Sequence, residues 1–406
     1  MKKWMKLASP LLAVLLMLTP VCAVHAAEDD SVREHFTYYN EVPVLLIADQ
    51  SSGKILLEKN IDQDYPIASM SKLMTYYVVK SAIRDGKISL KDQVLISKQA
   101  AELNVSEYSN YGLKLGERIT VEDLLKGLMV VSGNDAAEAL AEHVAGTKSA
   151  FAAMMNDAAA KMELTRSSFV NPHGLTENGK MNRMSARDMC TLARTIVDEF
   201  PEVLEYSKIK TIDEPGRGYR EDSTLSTSFG DLAGLDGLKT GFTDEAGYCF
   251  TGTVDISKID PALNYRIVTV VMGCAYQDVR WRTQKELIDY TVGSFRYRQL
   301  VDENVPIVKY EMPSAQDGSI TLYPAKSYST LTFQDALFDI RYEIFPDVEA
   351  PTPQNHPFGA IYISRDGQPL EKIDIVSRTE TKKASVGVRT QRAWENFVNF
   401  LSLLME

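Results

Sequence analysis

The sequence predicts an α+β fold, and three patterns carry the prediction. Period-two strand segments stand near the start and return after residue 235, a block of helical segments lies between them, and one more helix closes the run. Strands at both ends of such a segment fit one antiparallel sheet fed from both ends, with the helices packed as a block. Past about residue 300 the pattern becomes short alternating runs, which predicts a separate small all-β module.

In chain order, the first 26 residues read as an export signal. Lys2, Lys3 and Lys6 precede the apolar run Leu11 to Leu18, and Val24-His25-Ala26 offers a cleavage site. Pro10 and Pro20 break the run and argue against an uncleaved membrane anchor, while Val21 is too bulky to precede a lipidated Cys22. Residues 27–40 form an acidic leader. Val42 to Ala48 and Lys54 to Glu58 are strands around the turn Ser51-Ser52-Gly53. From Met70 the apolar spacing is helical, and further helices are expected over Val121 to Met129, Asp135 to Val144, Lys148 to Met162 and Ser185 to Phe200. Strands are expected again at Asp236 to Thr240, Tyr248 to Asp255 and Arg266 to Gly273, then a helix over Arg280 to Phe295.

The β-module is expected over 299–388, with strands at Val305 to Met312, Ser319 to Tyr323, Leu331 to Phe333, Phe338 to Phe345, Ala360 to Ser364 and Glu371 to Val376. Asp366-Gly367 supplies a hairpin turn and Pro351-Thr352-Pro353 a loop. Residues 389–406 close the chain as an amphipathic helix, with Trp394, Phe397, Val398, Leu401, Leu404 and Met405 on one face.

Composition narrows the function. Of 406 residues 45% are hydrophobic and 24% charged, enough for more than one core. The net charge of −11, more negative still without the three signal lysines, argues against nucleic acid as a partner, since phosphate contacts need clustered cations. Without Cys22 the cysteines are Cys190, Cys249 and Cys274, an odd set expected as buried thiols. HExxH, paired CxxC, P-loop and GxGxxG patterns are missing, so neither a metal nor an organic cofactor is expected.

Chemistry must therefore come from ordinary side chains. Ser69-Met70-Ser71-Lys72 is a Ser-x-x-Lys at a helix start, where residues three apart share a face and a lysine of lowered pKa can take a serine proton. The spacing alone is cheap, because Ser51 to Lys54 and Ser207 to Lys210 repeat it. Two further elements make it specific: Ser132-Gly133-Asn134 between two helices, and Lys239-Thr240-Gly241 at the end of a strand. These three in this order are the set found in serine acyl enzymes that recognise penicillin.

With Pro66-Ile67-Ala68-Ser69, Thr120 to Leu125, Asn171-Pro172-His173-Gly174-Leu175 and Asp236 to Tyr248, the chain resembles the low-molecular-weight penicillin-binding proteins, the serine-type D-alanyl-D-alanine carboxypeptidases of the peptidase S11 kind. The resemblance is close over residues 41–298, implying a penicillin-binding, serine β-lactamase-like catalytic domain there, and looser over the β-module and terminal helix. It implies Ser69 as nucleophile, Lys72 as base, and Ser132 and Asn134 as relay and substrate-orienting pair. Lys239, Thr240 and Gly241 would bind the substrate's carboxylate end, with Arg280 a second cation there, and the backbone N–H groups of Ser69 and Phe242 would form the oxyanion hole.

The implied substrate is a peptidoglycan stem pentapeptide, with β-lactam antibiotics as covalent inhibitors, in an enzyme exported to the extracytoplasmic face of the cytoplasmic membrane or the periplasm. The terminal helix would contact the membrane surface. His173 and Asp188 are expected in structural roles. Ser223 to Ser228 replaces an Asn-rich stretch usual in the family, which bears on peptide preference. A DD-endopeptidase, a β-lactamase and a non-catalytic peptidoglycan-binding protein remain as alternatives. Against the β-lactamase, Glu177 is the only acid in 165–184 and lacks the spacing of a deacylating glutamate.

Overall fold

A computed structural model describes residues 33–346 and 348–405; the signal segment and most of the leader lie outside the described residues. The main sheet has five antiparallel strands, β1 (Val44–Asp49), β2 (Ile55–Lys59), β3 (Leu235–Thr243), β4 (Gly247–Asp255) and β5 (Arg266–Cys274), in the order β3-β4-β5-β1-β2. β1 pairs with β5 from Val44↔Met272 to Asp49↔Ile267, so the N-terminal strand is inserted beside one some two hundred residues away. Every residue of β1 is buried, because both faces of the sheet are covered. Val44, Leu46 and Ala48 face the helical block, while Leu45 and Ile47 pack with Phe36, Tyr39 and Leu287 on the other side.

The helical block comprises α1 (Lys72–Arg84), α2 (Val121–Val130), α3 (Asn134–Ala145), α4 (Lys148–Lys161) and α5 (Ala186–Glu199). Local chemistry sets several starts. Thr120, Thr147 and Ser185 accept from the N–H groups of Asp123, Ala150 and Asp188, satisfying donors that have no partner inside the helix. Asp188 also accepts from Arg166 N and Ser167 Oγ, each at 2.8 Å, in keeping with a structural role. The first helix differs from expectation: Ala68–Ser71 is a 3₁₀ turn and the α-helix begins only at Lys72. On the sheet's edge lies the short α6 (Thr224–Phe229), capped by Ser223, and the outer face carries α7 (Gln277–Ser294).

Phe295 caps the end of α7, as expected, but the chain does not leave regular structure there. Phe295 also opens β6 (Phe295–Val301), missed in the sequence because the Phe-Arg-Tyr-Arg alternation continues directly from a helical run. The β-rich segment adds β7 (Val308–Glu311), β8 (Ser319–Pro324), β9 (Tyr328–Phe333), β10 (Asp339–Ile344), β11 (Pro357–Arg365) and β12 (Gln368–Ser377). Five of these form a second antiparallel sheet, β7-β8-β12-β11-β10, over a core of Leu322, Phe358, Ile361, Ile373 and Ile375. β9 instead pairs with β6, and Leu331 joins the core beneath the first sheet, where Lys54 Nζ donates to Leu331 O at 2.8 Å. Asp366 and Gly367 both take positive φ in the β11–β12 turn, as a two-residue hairpin requires.

The terminal helix α8 (Val386–Met405) begins one turn earlier than expected. Arg392 docks it to the module, donating to Ala315 O at 2.6 Å and Gln316 O at 2.7 Å. Trp394, Phe397, Val398, Phe400 and Leu401 remain exposed, with Trp394 65% accessible. Among the described residues no helix is long and apolar enough to cross a membrane.

The block is held at one point by Asp135, whose buried carboxylate accepts from Tyr111 N (2.7 Å), Leu113 N (2.9 Å) and Ala136 N (2.8 Å). Asp135→Ala strands these donors and is expected to lower stability by about 3 kcal/mol, and Asp135→Asn by less, read from the urea unfolding midpoint.

Candidate active site

The 3₁₀ turn decides the first contact. Side chains at i and i+3 eclipse in that geometry, so Ser69 and Lys72 are brought together, with Lys72 Nζ 2.9 Å from Ser69 Oγ. Lys72 is fully buried, and its Nζ also donates to Asn134 Oδ1 at 2.6 Å and to the main-chain carbonyl of His173 at 2.9 Å. Burial holds its pKa well below the usual lysine value, helped by the like charge of Lys239 and opposed by Asp135.

Ser132 and Asn134 come from the junction of α2 and α3. Ser132 has φ 63°, which turns the chain sharply between the helices, and its Oγ is buried with no hydrogen-bond partner in the protein. Asn134 N donates to Ser109 O at 2.9 Å, tying in the loop 105–113. From the other side comes β3, the edge strand. Gly241 lies against the 3₁₀ turn so closely that a Cβ there would sit 2.8 Å from Ile67 O, which requires glycine.

Lys239 is buried, with Nζ 3.1 Å from Thr240 O, and its pKa is lowered to about 7 by burial and then by Arg280. Arg280 is no solvated charge at a helix start: it is 3% exposed, donates to Ser228 Oγ at 2.8 Å and Cys249 O at 3.3 Å, and lies over the rings of Phe229 and Tyr248.

Loop 171–177 closes the back of the site. Asn171 Oδ1 accepts from Gly174 N, and Gly174, at φ 91°, approaches Ala68 O so closely that any Cβ would overlap it. His173 is fully buried and its Nδ1 accepts from Leu175 N at 3.1 Å, so the ring stiffens its own loop. Asn182 braces the loop by accepting from Val170 N and donating to Asn171 O.

These elements enclose a cleft of about 550 Å³ whose wall includes Ser69, Ser132, Asn134, Thr240, Gly241, Phe242 and Arg280. The expected residues therefore converge, with Lys72 and Lys239 buried behind the wall. Phe242 is half-exposed on β3, facing Tyr248 across the strand pair. Thr227 and Ser228, from the stretch that departs from the family's Asn-rich segment, also line the cleft, as do Tyr108 and Ser109, which carry no sequence signal because their loop reaches it only through folding. The same holds for the His173 carbonyl, a main-chain atom that side-chain motifs cannot mark. Among the described residues no trio of His, Cys, Asp or Glu is placed to hold a metal ion.

The family model for D-alanyl-D-alanine carboxypeptidase, peptidase family S11, matches residues 41–275. The chain belongs to this family. It is a hydrolase, a serine-type D-alanyl-D-alanine carboxypeptidase. Over its whole length the chain is similar to the D-alanyl-D-alanine carboxypeptidase DacF of Bacillus subtilis, 29% identical across 97% of this chain and 99% of that one. In structure it is similar to penicillin-binding protein 5 from Haemophilus influenzae, with TM-score 0.67 and 27% identity over 84% of this chain and 98% of that one. It is also similar to penicillin-binding protein D2 from Listeria monocytogenes in its ampicillin-bound form, with TM-score 0.54 and 31% identity over 61% of this chain and 96% of that one.

The buried lysines leave a mark on stability. The unfolded carboxypeptidase keeps Lys239 protonated up to the ordinary 10.5, whereas the folded one releases that proton near pH 7. Between those values the unfolded chain binds more protons, so Lys239 makes stability rise with pH. Lys239→Met is expected to show a shallower rise than wild type in urea unfolding at successive pH values across this window.

Proposed function

We propose that Ser69 is the nucleophile, Lys72 its general base, and a peptidoglycan stem pentapeptide ending in two D-alanines the substrate. The observation that carries this reading is the triple contact of Lys72. A neutral amine has two N–H bonds and one lone pair. Asn134 Oδ1 and the His173 carbonyl can only accept, so they occupy the two N–H bonds and leave the lone pair directed at Ser69 Oγ, 2.9 Å away.

Lys72 takes the hydroxyl proton as Ser69 Oγ bonds to the carbonyl carbon between the D-alanines. The N–H groups of Ser69 and Phe242 receive the oxyanion, a device for which losing one donor typically raises the barrier by ~3–4 kcal/mol. As the tetrahedral intermediate collapses, the C–N bond breaks and the D-alanine nitrogen takes a proton, for which the unpartnered Ser132 hydroxyl in the cleft wall is the relay to Lys72. Water then attacks the ester, giving the shortened peptide's carboxylate and restoring Ser69. Thr240, Gly241 and Arg280 meet the terminal carboxylate from the cleft wall, backed by the charge of Lys239 beneath.

β-Lactams would acylate Ser69 by the same steps, a reading supported by the ampicillin-bound relative. Against a β-lactamase, Glu177 is not part of the cleft wall; its carboxylate is bound to Lys148. A DD-endopeptidase would share this site and differ in product.

For location, we read the chain as exported to the cell envelope by residues 1–26. The unpacked apolar face of α8 suits the membrane interface, where Trp and Phe sit at headgroup level.

Incubated with a synthetic stem pentapeptide, the wild-type enzyme should release one D-alanine by mass spectrometry, and Ser69→Ala none. Cleavage of cross-linked dimers alone would transfer the reading to an endopeptidase. Removing residues 386–406 should move the exported enzyme from the membrane to the soluble fraction; unchanged membrane recovery would remove the anchor.

A further inference from the structure

One of the two acceptors that orient Lys72 is a main-chain carbonyl, and its position is only as well defined as its loop. Groups on the far side of that loop from the cleft are arranged around the His173 ring. Lys148 Nζ, in the first turn of α4, contacts both carboxylate oxygens of Glu177, at 2.8 and 3.0 Å. Glu177 Oε1 lies 3.4 Å from His173 Nε2, a close polar approach outside hydrogen-bond geometry to a buried nitrogen that has no hydrogen-bond partner among the described residues. Because His173 Nδ1 accepts from Leu175 N, the ring proton of the neutral imidazole is assigned to Nε2, the nitrogen that faces Glu177. Glu138 of α3 approaches the same nitrogen at 3.8 Å, and Glu142 of α3 and Lys72 of α1 complete the charges around the ring and its two carboxylates. Main-chain bonds between Glu177 and Lys180, both 2.9 Å, fix the backbone from which the carboxylate extends.

Protonation fits this arrangement. Burial lowers the His173 pKa to about 4, so the ring is neutral and its Nδ1 stays an acceptor. The Glu177 carboxyl is lowered to about 2 by His173 and by Lys148, so it stays an anion. Burial raises Glu138 to about 7.

We propose that Glu177, clamped by Lys148, is a positioning residue: through the His173 ring it fixes the carbonyl that turns the Lys72 lone pair toward Ser69. The proposal rests on Lys72 acting as the base. Neither Glu177 nor Lys148 lines the cleft, so the pair acts on the base and not on the substrate. Loss of the clamp lets the His173 carbonyl drift, and one amine N–H then loses its acceptor and the amine rotates away from Ser69. A carbonyl acceptor favours the ammonium form, so its loss also lowers the Lys72 pKa further.

The test compares wild type with Glu177→Gln, Lys148→Met and the double variant, using acylation by a labelled penicillin and steady-state turnover of a synthetic pentapeptide across the acid limb of the pH profile. Each single variant is expected to lose about tenfold in kcat and acylation rate, with KM within about twofold, the size of effect that slight misplacement of a reacting group produces. The acid limb should move to lower pH while its plateau falls, and the double variant should lose no more than Glu177→Gln. A generally loosened site lowers the plateau without moving the limb, and that result overturns the proposal, as do wild-type rates in both single variants or additive losses in the double. Should Glu177→Gln fail to fold, Lys148→Met breaks the same clamp from a half-buried position outside the loop, and its rates and limb decide alone. Wild type and Ser69→Ala with the same penicillin check the underlying reading separately: absence of acylation at Ser69 removes that reading and the clamp together, whereas normal acylation with unaffected variants removes only the clamp.

Discussion

An uncompensated ammonium inside a protein loses several kcal/mol of hydration, and the arrangement around Lys72 answers that constraint. The amine is fully buried, a second buried lysine stands close enough to disfavour its charged form, and every direction from its nitrogen meets oxygen. Each surrounding oddity of backbone serves this packing. The 3₁₀ turn superposes Ser69 on Lys72, the left-handed Ser132 lets α2 and α3 meet beside it, and Gly174 allows loop 171–177 to touch the turn.

Charge is distributed in the same economy. The whole chain is strongly acidic, yet the inner wall of the cleft carries Arg280 with Lys239 behind it, while Glu107, Asp244 and Glu245 border the same cleft. The cations are stacked inward in low dielectric, where the charge of Lys239 adds to burial in lowering the Lys72 pKa. Arg280, on α7, is stabilised there by Ser228, Cys249 O and two aromatic faces, a set drawn from α6 and β4. Ser228 belongs to the stretch that replaces the Asn-rich segment usual in the family, so that departure falls on a partner of Arg280.

Much of the fold could be read from the residues. β5, expected over Arg266 to Gly273, spans Arg266–Cys274, and α4 and α5 each fall within a residue of their expected bounds. Strong periodicity and capping side chains are local signals, and they survive folding. Weak points were elements whose identity depends on a distant partner. β6 exists because β9 pairs with it, and β9 leaves its neighbours in the second sheet to join the first core. Arg392 of α8 is likewise committed to carbonyls of the module, a contact that helical spacing does not mark.

The sequence by itself determined the chemical types: a serine with a lysine three residues on, a Ser-Gly-Asn junction, a Lys-Thr-Gly strand, and the order in which they occur. Only the tertiary structure decided which amine is stripped of water, which carbonyl receives its hydrogen, and that Arg280 is enclosed and not solvated. Residue identity specifies what a group can donate or accept. Its protonation state and aim depend on burial and on atoms contributed by segments far away in the chain, and these exist only once the sheet has closed around β1.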